Sequence, residues 1–298
     1  MELLRALAVC AEPPHAATAR VADTLGLPAP SAADHTDTFV FQLYPYASVY
    51  LGPEGMLGGE ARDRIAGFLR TLGATPPAEP DHLTVLLTAA AELAACEAGA
   101  SDADAAAAWR RSRTALLWEH LAAWVPLFAD RVVAHGGPYA AWASLLLDTL
   151  RHEADTVGPA PALPLHLRAA PTLDDPRHDG AGFLDQLLAP VRTGVVLTRT
   201  DLTRAASDLG LGSRIGERRY VLSALLSQQP DAVLGWLAHE ADRRATAHAR
   251  HTSWAGTIAT FWHDRALSTA TLLRDLAGDA ADAAARPSAV VTGGAWQT

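Results

Sequence analysis

The chain contains no lysine: all 24 of its basic residues are arginine, set against 33 acids, for a formal charge of −9. That deficit of cations excludes a protein whose main task is to coat nucleic acid, which needs a surplus of positive charge to displace condensed counterions. It favours basic or neutral partners instead. Cysteine is nearly absent too. Cys10 and Cys96 are the only two, and neither has a second thiol or a histidine at ligand spacing, so neither a disulfide framework nor a zinc site is expected. A reducing cytoplasm fits this usage. No run approaches the ~20 apolar residues needed to span a bilayer. The opening MELLRALAVCA has Glu2 where a leader would be basic and Val9 where a lipoprotein site needs a small residue, so it reads as a first helix. Catalytic signatures are missing as well: there is no GxSxG elbow, Walker loop, GxGxxG turn or HExxH pair, and His239-Glu240 lacks the second histidine. These absences predict a protein that is not an enzyme, with no catalytic residues, no metal and no cofactor.

What is present is helix-forming. The 298 residues are 49% apolar, enough for a sizeable core. Alanine is abundant and β-branched runs are rare, which points to an all-α fold. Residues 36–51 hold Phe39, Phe41, Tyr44, Tyr46 and Tyr50 around Pro45, a pattern predicting helix, kink, helix. A short amphipathic helix follows over 60–72, and the proline-stiffened GATPPAEPDH leads into the next. Leu83, Leu86, Leu87, Ala90 and Ala94 then repeat at the spacing of one buried helical face, with Asp81 as the expected N-cap. Further helices are predicted over 103–124, bent at Pro126, and from Tyr139 to about Glu153.

Residues 157–180 carry five prolines without apolar periodicity and read as a linker or surface strap. Domain organisation is therefore expected as 1–156, a strap at 157–180, and a helical region at 181–277 with helices near 181–190, 200–209, 216–227, 230–250 and 253–277. The small, polar tail at 278–298 is expected to be disordered. The 73–80 joint and the strap are each candidate hinges for a domain-swapped homodimer.

Polar residues stand out where apolar helices begin or pass. Glu79-Pro80-Asp81-His82 puts an acid, a rigid turn, a capping acid and an imidazole at a helix mouth, and Glu119-His120 interrupts LLWEHLAAWVPLF. Each has a structural reading: Asp81 as a cap, His82 and His120 as hydrogen-bonded histidines near the core. His248 and His251, three apart, have the spacing to meet a metal edge-on but fit a solvated helix end better, and Arg214, Arg218 and Arg219 fit a solvated helix edge, the alternative being a grip on an acidic client surface.

Four blocks in order, PYASVYLGPEG (45–55), EPDHL (79–83), LLWEHLAAWVPLF (116–128) and PYAAWASLLLDTL (138–150), resemble the TorD/DmsD/NarJ redox-enzyme maturation chaperones. The second half, with LLAPVRTGVVLTRTDLTRAASDLGLG (187–212), resembles the extension of longer members that serve dimethylsulfide-dehydrogenase-like enzymes. Two features depart from the family: many members have one more residue between the proline and Asp-His, and a glutamate near the position of Leu86. The resemblance implies a TorD-like helical bundle with an additional C-terminal helical region. It also implies a cytoplasmic chaperone that binds the twin-arginine signal peptide and apo catalytic subunit of a molybdenum oxidoreductase. Such a ligand needs an apolar groove with carboxylates at one end. Glu79 and Asp81 are candidates for the acids, with Pro80 as hinge and His82 at the rim. Tyr44, Tyr46 and Trp124 are candidate aromatic walls, with Glu119 and His120 as further candidate contacts. The rival is a helix-turn-helix regulator over 200–226, since residues 190–250 carry nine arginines against six acids.

Overall fold

The computed structural model describes residues 1–178, 180 and 182–285. Among them no strand forms, and the single β-type contact is an isolated bridge between Tyr46 and His82. The fold is all-α, as the composition predicts.

The first core is built mainly by the helices of the N-terminal half, most of them following an apolar stripe of their own. The opening helix α1 (Glu2–Ala11) buries Leu4, Leu7, Ala8 and Ala11, and α2 (Ala16–Thr24) packs back on it. The expected helix, kink, helix over 36–51 is realised with a twist. The short α3 (Ala32–His35) runs into a π-helical turn at Thr36–Gln42, the chain breaks at Leu43–Tyr46, and α4 (Ala47–Leu51) follows. Next come α5 (Gly59–Thr71) and α6 (Leu83–Ala98), and Leu83, Leu86, Leu87, Ala90 and Ala94 form the buried face that their spacing predicts. Leu86 is wholly inside and faces the core.

A second π-helical turn, Leu116–Leu121, ends α7 (Ala103–Ala115) and is closed by Ala122 N–H donating to Leu117 O at 2.7 Å. Pro126 does not bend a continuous helix. It stands in the first turn of a new one, α8 (Val125–His135), where its missing N–H costs nothing. With α9 (Tyr139–Val157) these helices enclose an aromatic cluster. Tyr50 stacks on Trp124 at 5.1 Å, and Phe39 meets Tyr139 at 4.4 Å and Trp142 at 5.7 Å. Each such pair adds about 0.5–1.5 kcal/mol beyond area burial.

Residues 158–178 form a pinned strap. Trp118 Nε1 donates to Gly158 O at 3.1 Å, Glu119 accepts from Leu165 N–H at 3.0 Å, and Arg265 donates to Pro171 O. One short helix, α10 (Leu165–Arg168), lies within the strap, with Leu167 in the first core and Leu173 in the second.

The second core gathers the short helices α11 (Phe183–Leu187) and α12 (Pro190–Thr193), then α13 (Arg199–Asp208), α14 (Arg218–Gln228) and α15 (Pro230–Ala249). After one turn, α16 (Thr252–Ala255), the chain enters α17 (Thr257–Ala285), which packs along α15. Its 29 residues extend about 43 Å at 1.5 Å each and serve both cores. Ile258, Ala259 and Trp262 sit in the first, while Ala270, Leu273 and Leu276 sit in the second. Gly194 ends α12 at φ +70° against α17, where a Cβ would meet Ala266 N at 2.6 Å, so only glycine allows this approach.

Ionic contacts tie the halves together. Buried Arg131 of α8 pairs with buried Asp201 of α13. Burial alone would raise the Asp201 carboxyl, but Arg131 and the Thr198 amide and hydroxyl outweigh it and hold it below its usual range. Within the second half itself, fully buried Glu240 is held by Arg204, Arg243 and Arg244.

Three expectations are corrected. Helix α17 continues through 278–285, because GDAADAAA is alanine-rich and absorbs its one glycine; the rest of the expected disordered tail, 286–298, lies outside the described residues. His248 and His251 are buried rather than solvated: His248 bonds Gly194 O at 2.9 Å and His251 bonds Asp130 at 2.9 Å. Arg218 is half-buried, so the expected solvated edge holds for Arg214 and for Arg219, which is exposed and pairs with Asp185, but not for Arg218.

Candidate functional site

Two helix starts are locked to each other across 33 residues of chain. Ala47 N–H donates to Asp81 O at 3.0 Å and Leu83 N–H to Pro45 O at 2.8 Å, giving one rung of antiparallel pairing at the mouths of α4 and α6. Asp81 is buried, and its carboxylate accepts from Ser48 N–H at 3.1 Å. Asp81 therefore does not cap its own helix, as its position after Pro80 predicts, but satisfies a free amide of the other one. The cap of α6 is His82, whose Nδ1 accepts from Thr84 N–H at 3.2 Å. That bond requires an unprotonated Nδ1, and burial pulls His82 below its ordinary pKa. The rings of Tyr46 and His82 meet edge to face at 4.7 Å, and Tyr46 O–H donates to Glu79 at 2.7 Å.

This lock forms one side of a groove of about 680 Å³. Tyr44, Pro45 and Tyr46 meet His82 and Val85 there, while His35 at the end of α3 and Phe39 and Val40 from the first π-helical turn supply an opposing surface, with Leu57 and Pro77 beside them. Val40 and Leu57 are 46% and 58% exposed, unusual for such side chains, and Phe41 and Met56 beside them in sequence are exposed as well. Two carboxylates line it, Glu12 and Glu79. An extra backbone residue in a π-turn rotates the side chains that follow, and such turns recur at functional sites.

Of the residues singled out in the sequence, Tyr44, Tyr46, Glu79 and His82 come together in this groove, with Pro80 and Asp81 buried beside it. Asp81, expected as an acid for a guanidinium, is committed to Ser48. Glu119, His120 and Trp124 lie elsewhere. Glu119 is fixed to the strap through Leu165. His120 is buried against Phe68 at 4.9 Å and His166 at 6.1 Å. Its Nδ1 has no partner among the described residues, so the hydrogen bond expected of it is missing there, and burial lowers its pKa to about 3. Trp124, expected as a wall, is fully enclosed and donates from Nε1 to His120 O at 2.8 Å. Glu12, His35, Phe39, Val40, Leu57 and Val85 were missed. The available signal was Val40-Phe41 and Met56-Leu57, apolar pairs beside a kink and a glycine-rich turn.

The chain from Ala17 to Asp130 encloses the groove's aromatic side, its locked helix starts and Glu79. Residues 17–130 match the nitrate reductase delta subunit family. The delta-subunit family is one of molybdoenzyme maturation chaperones, and the match supports the broad resemblance without separating its subgroups. Searches of curated proteins and of solved structures return no match. The delta-subunit match stops before α9, the strap and the whole second core. Among the described residues no helix is long and apolar enough to cross a membrane, and no cluster of three or more metal-ligating side chains occurs. Helices α13 and α14 are separated by residues 209–217, longer than the three- or four-residue turn of a helix-turn-helix.

Proposed function

We propose that this protein is a cytoplasmic maturation chaperone whose groove takes the signal peptide of a molybdopterin-containing oxidoreductase subunit in its apo form. The observation that carries this is the pairing of exposed apolar side chains with carboxylates in one groove, whose lining apart from Glu12 and Pro13 falls within the family-matched segment. A leader of this type joins an Arg-Arg pair to an apolar helix-forming stretch. Val40, Leu57, Phe39 and Val85 offer surface to the stretch, and Glu79 and Glu12 offer acceptors to the guanidiniums, which pair best with carboxylates. The charge of −9 speeds encounter with a basic leader and makes that rate fall with added salt. Residues 1–156 serve on this reading as the client-binding part, with the second core as a buttress. The longer-subgroup reading rests on the resemblance over 187–212.

The test is co-purification from the native host followed by titration with the leader of any captured molybdoenzyme. Expected are capture of an apo catalytic subunit, and about tenfold weaker leader binding for Glu12→Gln with Glu79→Gln and for Val40→Asp. Equal affinity for a leader without its Arg-Arg pair and apolar stretch, or partners that all lack a molybdopterin domain, would sink the proposal.

A further inference from the structure

A second cleft, also about 680 Å³, shares Tyr44 with the groove but has different chemistry. Four arginines line it: Arg192, Arg199, Arg218 and Arg219. Two are already used. Arg219 pairs with Asp185 at 2.6 Å, and Arg192 donates to the carbonyls of Pro53 and Thr172, both at 2.9 Å. The other two form no ion pair among the described residues. Half-buried Arg218 makes one bond, from Nη1 to Leu197 O at 2.9 Å, and the Arg199 guanidinium lies 5.5 Å over the Phe41 ring. Glu54 and Glu217 also line the cleft, yet neither comes within 4.0 Å of either cation. Burial draws the Arg218 guanidinium below its ordinary pKa, Tyr44 and Tyr50 oppose that, and nearby Arg199 adds to it.

Two unpaired guanidiniums in one concavity repel each other and have lost part of their hydration. A multivalent anion relieves both costs, and the planar forks of arginine match phosphate oxygens two at a time. The cleft is larger than an inorganic anion needs and falls within the size range of small-molecule sites. Tyr44, Met56 and Leu188 give it a less polar wall. We propose that this cleft binds a small organic molecule through its diphosphate group, held by Arg199 and Arg218 with its body against Tyr44, Met56 and Leu188. Apart from Tyr44, which lines both, the site lies outside the peptide groove proposed above and stands without it.

Calorimetric titration of the full chain with a nucleoside diphosphate, inorganic pyrophosphate and, as control, sulfate at matched ionic strength tests this. The expected order is nucleoside diphosphate tighter than pyrophosphate, with sulfate much weaker than both. Arg199→Gln and Arg218→Gln should each weaken the diphosphates at least tenfold, while Arg214→Gln, exposed and outside the cleft, leaves them unchanged. Should Arg218→Gln fail to fold by circular dichroism, Arg199→Gln decides alone. The proposal is overturned if neither diphosphate binds at millimolar concentration, if sulfate matches them, if Arg214→Gln weakens binding as much, or if only an acidic peptide binds. Leader-peptide titration of the same variants keeps the two readings apart, since loss of diphosphate binding with unchanged peptide affinity bears on this cleft alone.

Discussion

EPDHL at 79–83 and WEHL at 118–121 are nearly the same phrase, an acid and a histidine ahead of a leucine, and they meet opposite fates. In the first, the backbone has not yet become helical. Its acid and imidazole project at a helix mouth, where His82 caps, Asp81 reaches across to Ser48, and Glu79 stays exposed. In the second, the residues lie within a π-helical turn with α5 on one side and the strap on the other, so His120 is enclosed and Glu119 is tied to Leu165. Residue type alone does not decide between binding and packing. Whether the backbone is still free to present the side chain does.

That contrast can be broken at the enclosed motif first. Trp124→Ala removes a fully buried ring stacked on Tyr50, and unfolding in denaturant should show a loss of about 3–5 kcal/mol with leader affinity intact in the folded fraction. Acid should act next, and on the same side. Burial holds His120 at about 3 and His166 and His248 at about 4, the Gly194 carbonyl opposing the shift at His248. These groups stay neutral when folded but take a proton when unfolded. Stability therefore falls as pH drops below the unfolded value near 6.5, by about 2 kcal/mol per histidine at pH 5, and levels off only below the folded values. His120→Gln should flatten the Tm-against-pH curve between pH 6.5 and 5; an unchanged slope would show that His120 is not held neutral.

The exposed motif should answer differently. Asp81→Ala frees a buried amide at Ser48 and should cost about 1–3 kcal/mol, lowering leader affinity through the loosened lock, with Asp81→Asn partly restoring both. Glu79→Gln should shift stability by less than about 0.5 kcal/mol while weakening the leader about fivefold by titration. If Glu79→Gln instead destabilises as much as Asp81→Ala, the separation between presenting and packing residues collapses.

Helices were legible where periodicity was strong, as with Leu83 to Ala94, and where proline punctuated, as at Pro45 and the strap. The π-turns were not, since one extra residue per turn leaves no mark in a short apolar pattern. Asp81 was recognised as a capping acid, but its target lies 33 residues away in sequence, and local reasoning assigns a cap to the nearest helix. Half of the groove was readable for a similar reason: Tyr44, Tyr46, Glu79 and His82 sit in conspicuous motifs, whereas Glu12, at the end of α1, and His35, at the end of α3, reach the groove only once those helices are packed in place. Trp124 misled because a large aromatic serves equally well as a wall or as core filling.

Helix α17 has a consequence for the order in which the protein assembles. Trp262 donates from Nε1 to Ala123 O at 2.9 Å, across 139 residues, and Ile258 and Ala259 join it in the first core. As the chain leaves the ribosome, the segment that carries the groove emerges early with an indentation over Ala123 still open to water. The piece that fills it is made more than a hundred residues later, and such distant closures are the slow ones. The groove-bearing half is thus translated first and sealed from the far end, so a fragment stopping at Val157 would present a wet seat where Trp262 belongs.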